Sequence, residues 1–204
     1  MSGSNPGVDG HEVALLCHPS APNRRVRGLA ARVEAARNGA LAFAFRLDAE
    51  LARLRVPAAV SPRRADRLWE HTCFEAFVAV RGQAAYHEFN FSPSGEWAVF
   101  AFRGYRDGAV LDRDLVPAIT VRRAANALEL DALVVAGCLP PATEGARIQI
   151  ALTAVIEDEA GTLSYWAIRH PSGRPDFHHR AGFVLEIDAL HNPGIDLPRQ
   201  TTGE

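Results

Sequence analysis

The stretch LWEHTCFEAFVAV, residues 68–80, sets an aromatic and an ionisable side chain at the start of an apolar strand. Trp69 offers a flat ring that can cover the apolar C–H face of a sugar. Glu75 offers a carboxylate that can accept hydrogen bonds from sugar hydroxyls in the ring plane. The alternative is that the tryptophan packs in the core. We interpret the pair as the beginning of a ligand-binding face.

Residues 85–92 add further polar side chains that could bind hydroxyl groups. In AYHEFNFS, residues 85–92, alternation places Tyr86, Glu88 and Asn90 on one face and the residues between them toward a core. Glu88 and Asn90 are therefore further candidates for binding hydroxyl groups. Glu75 and Glu88 could instead be the acid and the base or nucleophile of a glycoside hydrolase, because binding and catalytic carboxylates look the same in sequence.

A basic and aromatic turn follows at FRGYRDG, residues 102–108. Arg103 and Tyr105, with Arg106 beside them, could hold a carboxylate or phosphate group of a ligand. The alternative is a surface turn with solvated arginines. We include Arg103 and Tyr105 among the predicted ligand-binding residues.

The segment HPSGRPDFHHR, residues 170–180, contains nitrogen and oxygen donors that zinc or another divalent metal could use. The candidate metal ligands are His170, Asp176, His178 and His179. If they converged in a turn, they would support a metal-dependent enzyme. The favoured interpretation is a loop whose side chains hydrogen-bond backbone groups, because no spaced partner motif accompanies the histidines.

The composition argues against several classes of function. All 22 basic residues are arginine, so a lysine Schiff base is ruled out. The net charge of −2 favours neither nucleic acid nor an anionic membrane as a partner. Three widely spaced cysteines and a start without a signal-peptide pattern predict reduced thiols and a cytoplasmic location. The sequence contains no phosphate-binding loop, G-x-S-x-G elbow or H-E-x-x-H motif.

Short β-strands are the elements that would position these side chains. About ten apolar or alternating runs are separated by turns, of which PSG at 93–95 is the clearest. Residues 24–38 favour a helix apart from Gly28, and residues 48–68 are typical of a loop with a helical turn. Without βαβ alternation, the pattern predicts an all-β, two-sheet antiparallel β-sandwich, jelly-roll-like, with one or two short helices.

The blocks LWEHTCFEAFVAV and AYHEFNFSPSGEWAVFAFRGYRDG resemble the DOMON-like superfamily, which includes the family 9 carbohydrate-binding modules. The spacing of Trp69 and Glu75 and the later pair Tyr165–Trp166 fit that pattern. The resemblance covers most of the chain between residues 69 and 185. It is greatest to a bacterial stand-alone branch of DOMON-like domain proteins.

This resemblance implies a β-sandwich with a ligand site on one sheet. By position, the two tryptophans that clamp the sugar in the modules would be Trp69 and Trp166, with Glu75 and Asn90 as hydroxyl partners. Glu88 stands where the modules have a basic residue. Other members bind haem through axial histidine or methionine. The only methionine here is the first residue, which leaves a bis-histidine haem site as an alternative.

We therefore predict a non-catalytic protein that binds a small, sugar-like molecule through an aromatic clamp and polar side chains on one sheet face. The predicted ligand-binding residues are Trp69, Glu75, Glu88, Asn90, Arg103, Tyr105 and Trp166. No cofactor is predicted, with zinc or haem as alternatives, and neither nucleic acid nor a membrane is an expected partner. We expect disorder over residues 1–10, one domain over residues 11–190 and a polar tail over residues 191–204.

Overall fold

The computed structural model describes residues 11–36, 38–111, 116–171 and 173–189. The predicted disordered segment and polar tail lie outside these ranges. Within them the chain forms thirteen strands and four short 3-10 helices. The strands are β1 (His11–Ala14), β2 (Leu16–Cys17), β3 (Val26–Ala35), β4 (Leu41–Ala49), β5 (Cys73–Val80), β6 (Tyr86–Phe91), β7 (Trp97–Gly104), β8 (Asp107–Val110), β9 (Ala118–Ala124), β10 (Ala127–Val134), β11 (Arg147–Glu157), β12 (Leu163–Ala167) and β13 (Leu185–Asp188). The 3-10 helices are Leu51–Arg53, Leu68–Glu70, Ala136–Cys138 and Arg180–Gly182.

The strands form two sheets in which all named neighbours pair antiparallel. The smaller sheet has the order β1-β3-β4-β10-β9, and the larger has the order β2-β12-β11-β5-β6-β7-β8. Strand β13 also belongs to the larger sheet, because the long strand β11 pairs with β13 through residues 147–150 and with β12 through residues 153–157. This architecture confirms the predicted all-β, two-sheet antiparallel sandwich.

A phenylalanine-rich core joins the two sheets. Phe43 and Phe45 alternate along β4 with less buried residues and point toward the larger sheet. The ring of Phe43 lies 5.9 Å from that of Phe91, and the ring of Phe45 lies 5.1 Å from that of Phe74, measured between centroids. These contacts bury the inner faces of both sheets, which is the main favourable contribution to the stability of a sandwich.

The segment expected to be helical, residues 24–38, instead contains strand β3. Leu29, Ala31 and Val33 alternate with less buried residues and join the core, which the helical period would not allow. The pairing of β3 with β4 shifts register between Val26 and Gly28, so the glycine marks a β-bulge. Helix propensity is a weak preference, and burial against the other sheet overrides it here.

The outer face of the larger sheet is also covered over its central strands. All eight residues of β5 and all six of β6 are buried, although only one face of each strand meets the sandwich core. A second apolar cluster on the outer face consists of Phe77, Ala79, Tyr86, Ala151 and Phe183. Phe183 comes from the loop after β12, so this loop folds over the sheet. None of the described helices has the length and apolar character needed to cross a membrane.

Candidate functional site

A cavity of about 660 Å³ opens on the outer face of the larger sheet. Its size lies within the usual range for small-molecule sites. The polar side chains that line it are Glu70, Glu75, Glu88, Arg106 and His178. The aromatic side chains are Trp69, Phe77, Phe100, Phe102, Tyr165 and Phe177. Aromatic walls with a few ionisable groups are the composition expected of a ligand site.

Two carboxyl groups lie on the sheet that forms one side of the cavity. Glu75 comes from β5 and Glu88 from β6, and both side chains are buried. In the antiparallel pair, Glu75 is in register with Asn90, and Glu88 is in register with Phe77. The two glutamates are therefore diagonal neighbours on one face of adjacent strands.

Glu75 is the more isolated of the two carboxyl groups. It is 2% exposed, and its Oε1 has no hydrogen-bond partner among the described residues. Burial raises the pKa of Glu75 well above its usual range, and the negative charge of Glu88 raises it further. Thr153 lies directly opposite on β11, but its hydroxyl is not in hydrogen-bonding geometry with Glu75. Burial and the charge of Glu88 therefore both favour the protonated form of Glu75.

Glu88 is buried with a hydrogen-bond donor beside it. Asn90 donates from Nδ2 to Glu88 Oε1 at 2.7 Å, and His178 Nε2 lies 3.7 Å from Glu88 Oε2. Burial raises the pKa of Glu88 to about 7, while the Asn90 hydrogen bond and the charge of Arg106 act in the opposite direction. Glu88 can therefore exchange its proton near neutral pH.

His178 is held over the sheet as a neutral ring. Its Nδ1 lies 2.8 Å from the hydroxyl of Tyr86, which also accepts a hydrogen bond from the backbone N–H of Arg106. Burial, with a further contribution from the positive charge of Arg106, lowers the pKa of His178 to about 4, although Asp176 opposes this. At neutral pH the imidazole therefore adds no positive charge to the cavity.

The turn between β7 and β8 is joined to the loop after β12. Arg106, in the left-handed region at φ 55°, donates from Nη2 to Asp176 Oδ1 at 3.0 Å. Tyr105 donates its hydroxyl to Asp176 Oδ2 at 2.8 Å. The backbone N–H of His178 donates to the same carboxylate. These contacts position the part of the loop that contributes Phe177 and His178 to the cavity.

Trp69 lies on the cavity wall, as expected for a ligand-facing residue. It sits on the 3-10 helix Leu68–Glu70, is 38% exposed and packs edge-on against Phe100 at 5.6 Å between ring centroids. Leu68 is buried against the sheet, and His71 Nδ1 lies 2.8 Å from Glu157 Oε2. Both contacts flank Trp69 and hold the helix in place.

Trp166 does not face Trp69, so the predicted clamp does not form. Its side chain points to the inner face of β12, is 6% exposed, belongs to the main core and donates from Nε1 to Ser164 Oγ. Successive residues of a strand point to opposite faces, so the preceding residue, Tyr165, reaches the cavity instead. The structure therefore brings Tyr165, and not Trp166, to the cavity.

Three other predicted binding residues do not line the cavity. Asn90 is fully buried and supports Glu88. Arg103 is exposed and pairs with Asp107 at 3.0 Å. Tyr105 binds Asp176, as described above. Of the seven residues expected to bind ligand, the structure brings Trp69, Glu75 and Glu88 to the cavity.

The candidate metal ligands of the loop do not converge. His170 Nε2 lies 2.8 Å from the backbone oxygen of Leu16, and His179 Nδ1 accepts from the backbone N–H of Ala181 at 3.2 Å. Asp176 and His178 have the partners given above. Across the described ranges, no group of three or more histidine, cysteine, aspartate or glutamate side chains is arranged to hold a metal.

Some cavity residues were detectable in sequence and others were not. Phe100 and Phe102 alternate along β7 on one face, and Phe100 is in register with Glu88, so strand alternation could have identified them. Phe177 and His178 lie in a loop without periodic signal. Only the folding of that loop over the sheet brings them to the cavity.

Comparisons with known proteins give structural matches only. No protein-family model matches the sequence, and the comparison with curated proteins gives no match. The crystal structure of a "putative carbohydrate-binding protein" from Bacteroides uniformis aligns with a TM-score of 0.63 at 13% identity, covering 86% of this chain and 84% of that one.

A family 9 carbohydrate-binding module from Caldicellulosiruptor kristjanssonii also aligns. The complex with cellotriose has a TM-score of 0.48 at 11% identity, over 79% of this chain and 75% of that one. The complex with glucose has a TM-score of 0.45 at 13% identity, over 84% and 85% of the respective chains. At 13% identity, the alignment with the Bacteroides uniformis protein shows a shared fold.

Proposed function

We propose that this protein binds a sugar or sugar-like small molecule in the cavity on the outer face of its larger sheet. The observation that carries the proposal is the combination of six aromatic side chains with two buried carboxyl groups around one cavity of about 660 Å³. Aromatic rings stack on the C–H faces of pyranoses, and carboxyl groups accept hydrogen bonds from hydroxyls. We also propose that the protein is related to the DOMON-like superfamily and that it is located in the cytoplasm.

Trp69 is the side chain best placed to stack on a ring. It is partly exposed although it packs against Phe100, so part of its indole is available for a ligand. Glu88 is fixed by Asn90 and presents its second oxygen toward His178. We infer that the sugar lies between the aromatic walls and directs hydroxyl groups at the two glutamates.

Two carboxyl groups on one sheet face would also suit a glycoside hydrolase. We propose instead that Glu75 and Glu88 bind hydroxyl groups of the sugar and that the sugar is released unchanged.

Tryptophan fluorescence provides a direct test, because Trp97 and Trp166 are each 6% exposed and Trp69 alone among the tryptophans lines the cavity. Titration with neutral and amino hexoses and with disaccharides should give a saturable change in emission. In parallel calorimetry, Trp69→Ala should weaken binding about tenfold, equivalent to about 1.4 kcal/mol.

Arg103→Ala is the matched control for this experiment, because Arg103 is exposed and does not line the cavity. It should bind the sugars as the wild type does. If the folded wild type gave no signal with any sugar in either measurement, the proposed function would be wrong. If hydrolysed disaccharide were recovered, only the proposal that the sugar is released unchanged would be wrong.

A further inference from the structure

The charges around the cavity do not balance. Arg106, the one arginine among the described lining residues, is paired with Asp176. Glu70 is paired with Arg67 at 2.6 Å. His178 is neutral for the reasons given above. Glu75 and Glu88 are left without a cationic partner within the described part of the chain.

Glu75 is the feature that points to a ligand. A buried carboxyl group without a hydrogen-bond partner is costly, because its lost hydration is not replaced. Glu75 is 2% exposed, lines the cavity and leaves Oε1 unpartnered among the described residues. A bound proton would neutralise such a group in the absence of a ligand. A cationic group of a ligand could replace that proton and supply the missing hydrogen-bond donors.

The cavity walls suit a cation as well as a sugar ring. Phe77 lies two residues from Glu75 on the same face of β5, and Phe100 is in register with Glu88 across β6 and β7. Both rings, together with Trp69, line the cavity. The faces of aromatic rings attract ammonium groups, and the attraction is larger where water is excluded. An ammonium group next to Glu75 would therefore contact carboxylate and aromatic groups together.

We propose that the cavity selects amino sugars, in which a protonated amine binds at Glu75 and Glu88, over neutral sugars of the same shape. This inference rests on the proposed function, because the sugar ring is taken to occupy the aromatic part of the cavity. The ammonium group supplies three N–H donors, which can satisfy oxygens of both carboxylates. A neutral hexose has a hydroxyl at the same position, which brings one donor and no charge.

The proton balance distinguishes the two kinds of ligand. An ammonium group favours ionised carboxylates, so binding of the amino sugar displaces the protons that the two carboxyl groups hold. Among the other ionisable groups around them, Arg106 lowers the pKa of Glu88 but is already paired with Asp176, His178 is neutral and the thiol of Cys73 is buried. Affinity for an amino sugar should therefore increase as the pH rises toward neutrality, until the amine itself loses its proton. Neutral hexoses should not show this increase.

Calorimetry with matched sugar pairs tests the inference on the intact protein. The pairs are D-glucosamine with D-glucose, D-galactosamine with D-galactose and D-mannosamine with D-mannose. At least one amino sugar should bind ten times more tightly than its neutral partner at neutral pH. Titrations in buffers of different ionisation enthalpy should show release of protons for the amino sugar.

The variants Glu75→Gln and Glu88→Gln keep the side-chain shape and remove the charge. Each should reduce the ratio of amino-sugar affinity to neutral-sugar affinity at least fivefold, whatever its effect on the affinity for the neutral sugar alone. Glu129→Gln removes a carboxylate from the other sheet, where Glu129 pairs with Arg122, and should change neither affinity. If one glutamine variant does not fold, the other variant and the proton release of the wild type still decide the question.

The possible failures are distinguishable. Equal affinity for amino and neutral sugars, without proton release, would overturn the amino-sugar inference and leave the proposed sugar-binding function in place. Preference for an amino sugar that survives both glutamine variants would also overturn it, because the amine would then bind elsewhere. The absence of binding by any of these sugars would contradict the inference and the proposed function together.

Discussion

Glu75 and Glu88 are diagonal neighbours on the outer face of the larger sheet, one on β5 and one on β6. In antiparallel pairs the Cα atoms of such diagonal neighbours lie about 7–8 Å apart, and their Cβ atoms are somewhat closer. Both groups are buried, so water screens the repulsion between their charges only weakly. Burial raises the pKa of both carboxyl groups, and the charge of Glu88 raises that of Glu75 further, so ionising the pair in the empty protein costs stability.

This relationship predicts a pH dependence of stability that Glu88→Gln should remove. The pKa of Glu88 is about 7 in the folded protein and near 4.5 otherwise. Between these values the folded state holds more protons than the unfolded state, so the free energy of unfolding falls as the pH rises. Relative to wild type, the free energy of unfolding of the variant should be unchanged below pH 4 and about 3 kcal/mol higher above pH 7.

Urea denaturation of both proteins from about pH 4 to pH 8 measures this difference. His178 contributes with the opposite sign, because its folded pKa of about 4 lies below its usual value of 6.5, so its contribution is lost as the pH falls through this range. It is present in both proteins and largely cancels in the difference. A constant difference across the pH range would show that Glu88 titrates normally. The Glu129→Gln control should follow the wild type.

Trp166 should act on stability and not on ligand binding. Its indole is buried in the main core and donates to Ser164. Trp166→Ala should therefore lower the free energy of unfolding by about 3–5 kcal/mol. Trp166→Phe fills part of the space, and where it remains folded its affinity for sugar should be within about twofold of the wild type. A tenfold loss of sugar affinity in folded Trp166→Phe would contradict this interpretation and support a clamp formed by Trp69 and Trp166.

Asp176 should control the loop that closes one side of the cavity. Its carboxylate accepts hydrogen bonds from Arg106, Tyr105 and the backbone of His178. Asp176→Asn should cost about 1–2 kcal/mol of stability, because hydrogen bonds to a charged group are weakened. It should also reduce amino-sugar affinity, because Arg106 would then be unpaired near the ligand.

Tyr105→Phe is the comparison for Asp176→Asn. It removes one hydrogen bond to the carboxylate and keeps the charge, so it should reduce stability by less and leave the preference for amino sugars unchanged. Denaturation and calorimetry measure the two effects separately. If both variants changed the sugar preference equally, the effect would come from loop geometry and not from charge.

The cysteines should differ in reactivity with a thiol reagent. Cys73 and Cys138 are buried, whereas Cys17 is partly exposed and donates to the backbone oxygen of Ala21. Burial raises the pKa of both Cys17 and Cys73, so few thiolates are present at neutral pH. The native protein should react slowly at one thiol, and the denatured protein rapidly at three. Cys17→Ser should abolish the native reaction. Rapid labelling of Cys73 would contradict its buried position.

The sequence alone was sufficient for the fold class and for part of the site. Alternating apolar residues and turn signals predicted a two-sheet antiparallel sandwich, because the two-residue period of a strand is a local property. The same period assigned Tyr86, Glu88 and Asn90 to one face, which the burial of the intervening His87 and Phe89 against the core matches. This period could not show that Asn90 donates a hydrogen bond to Glu88.

The tertiary structure decided which side chains meet. The pairing of β5 with both β6 and β11 and the folding of residues 173–184 over the sheet depend on contacts between distant parts of the chain. They place Tyr165 at the cavity, Trp166 in the core, and His178 beside Glu88. Local periodicity determines the face on which a residue lies relative to its neighbours. It does not determine which face becomes the core, because that choice is made by the burial of apolar surface over the whole molecule.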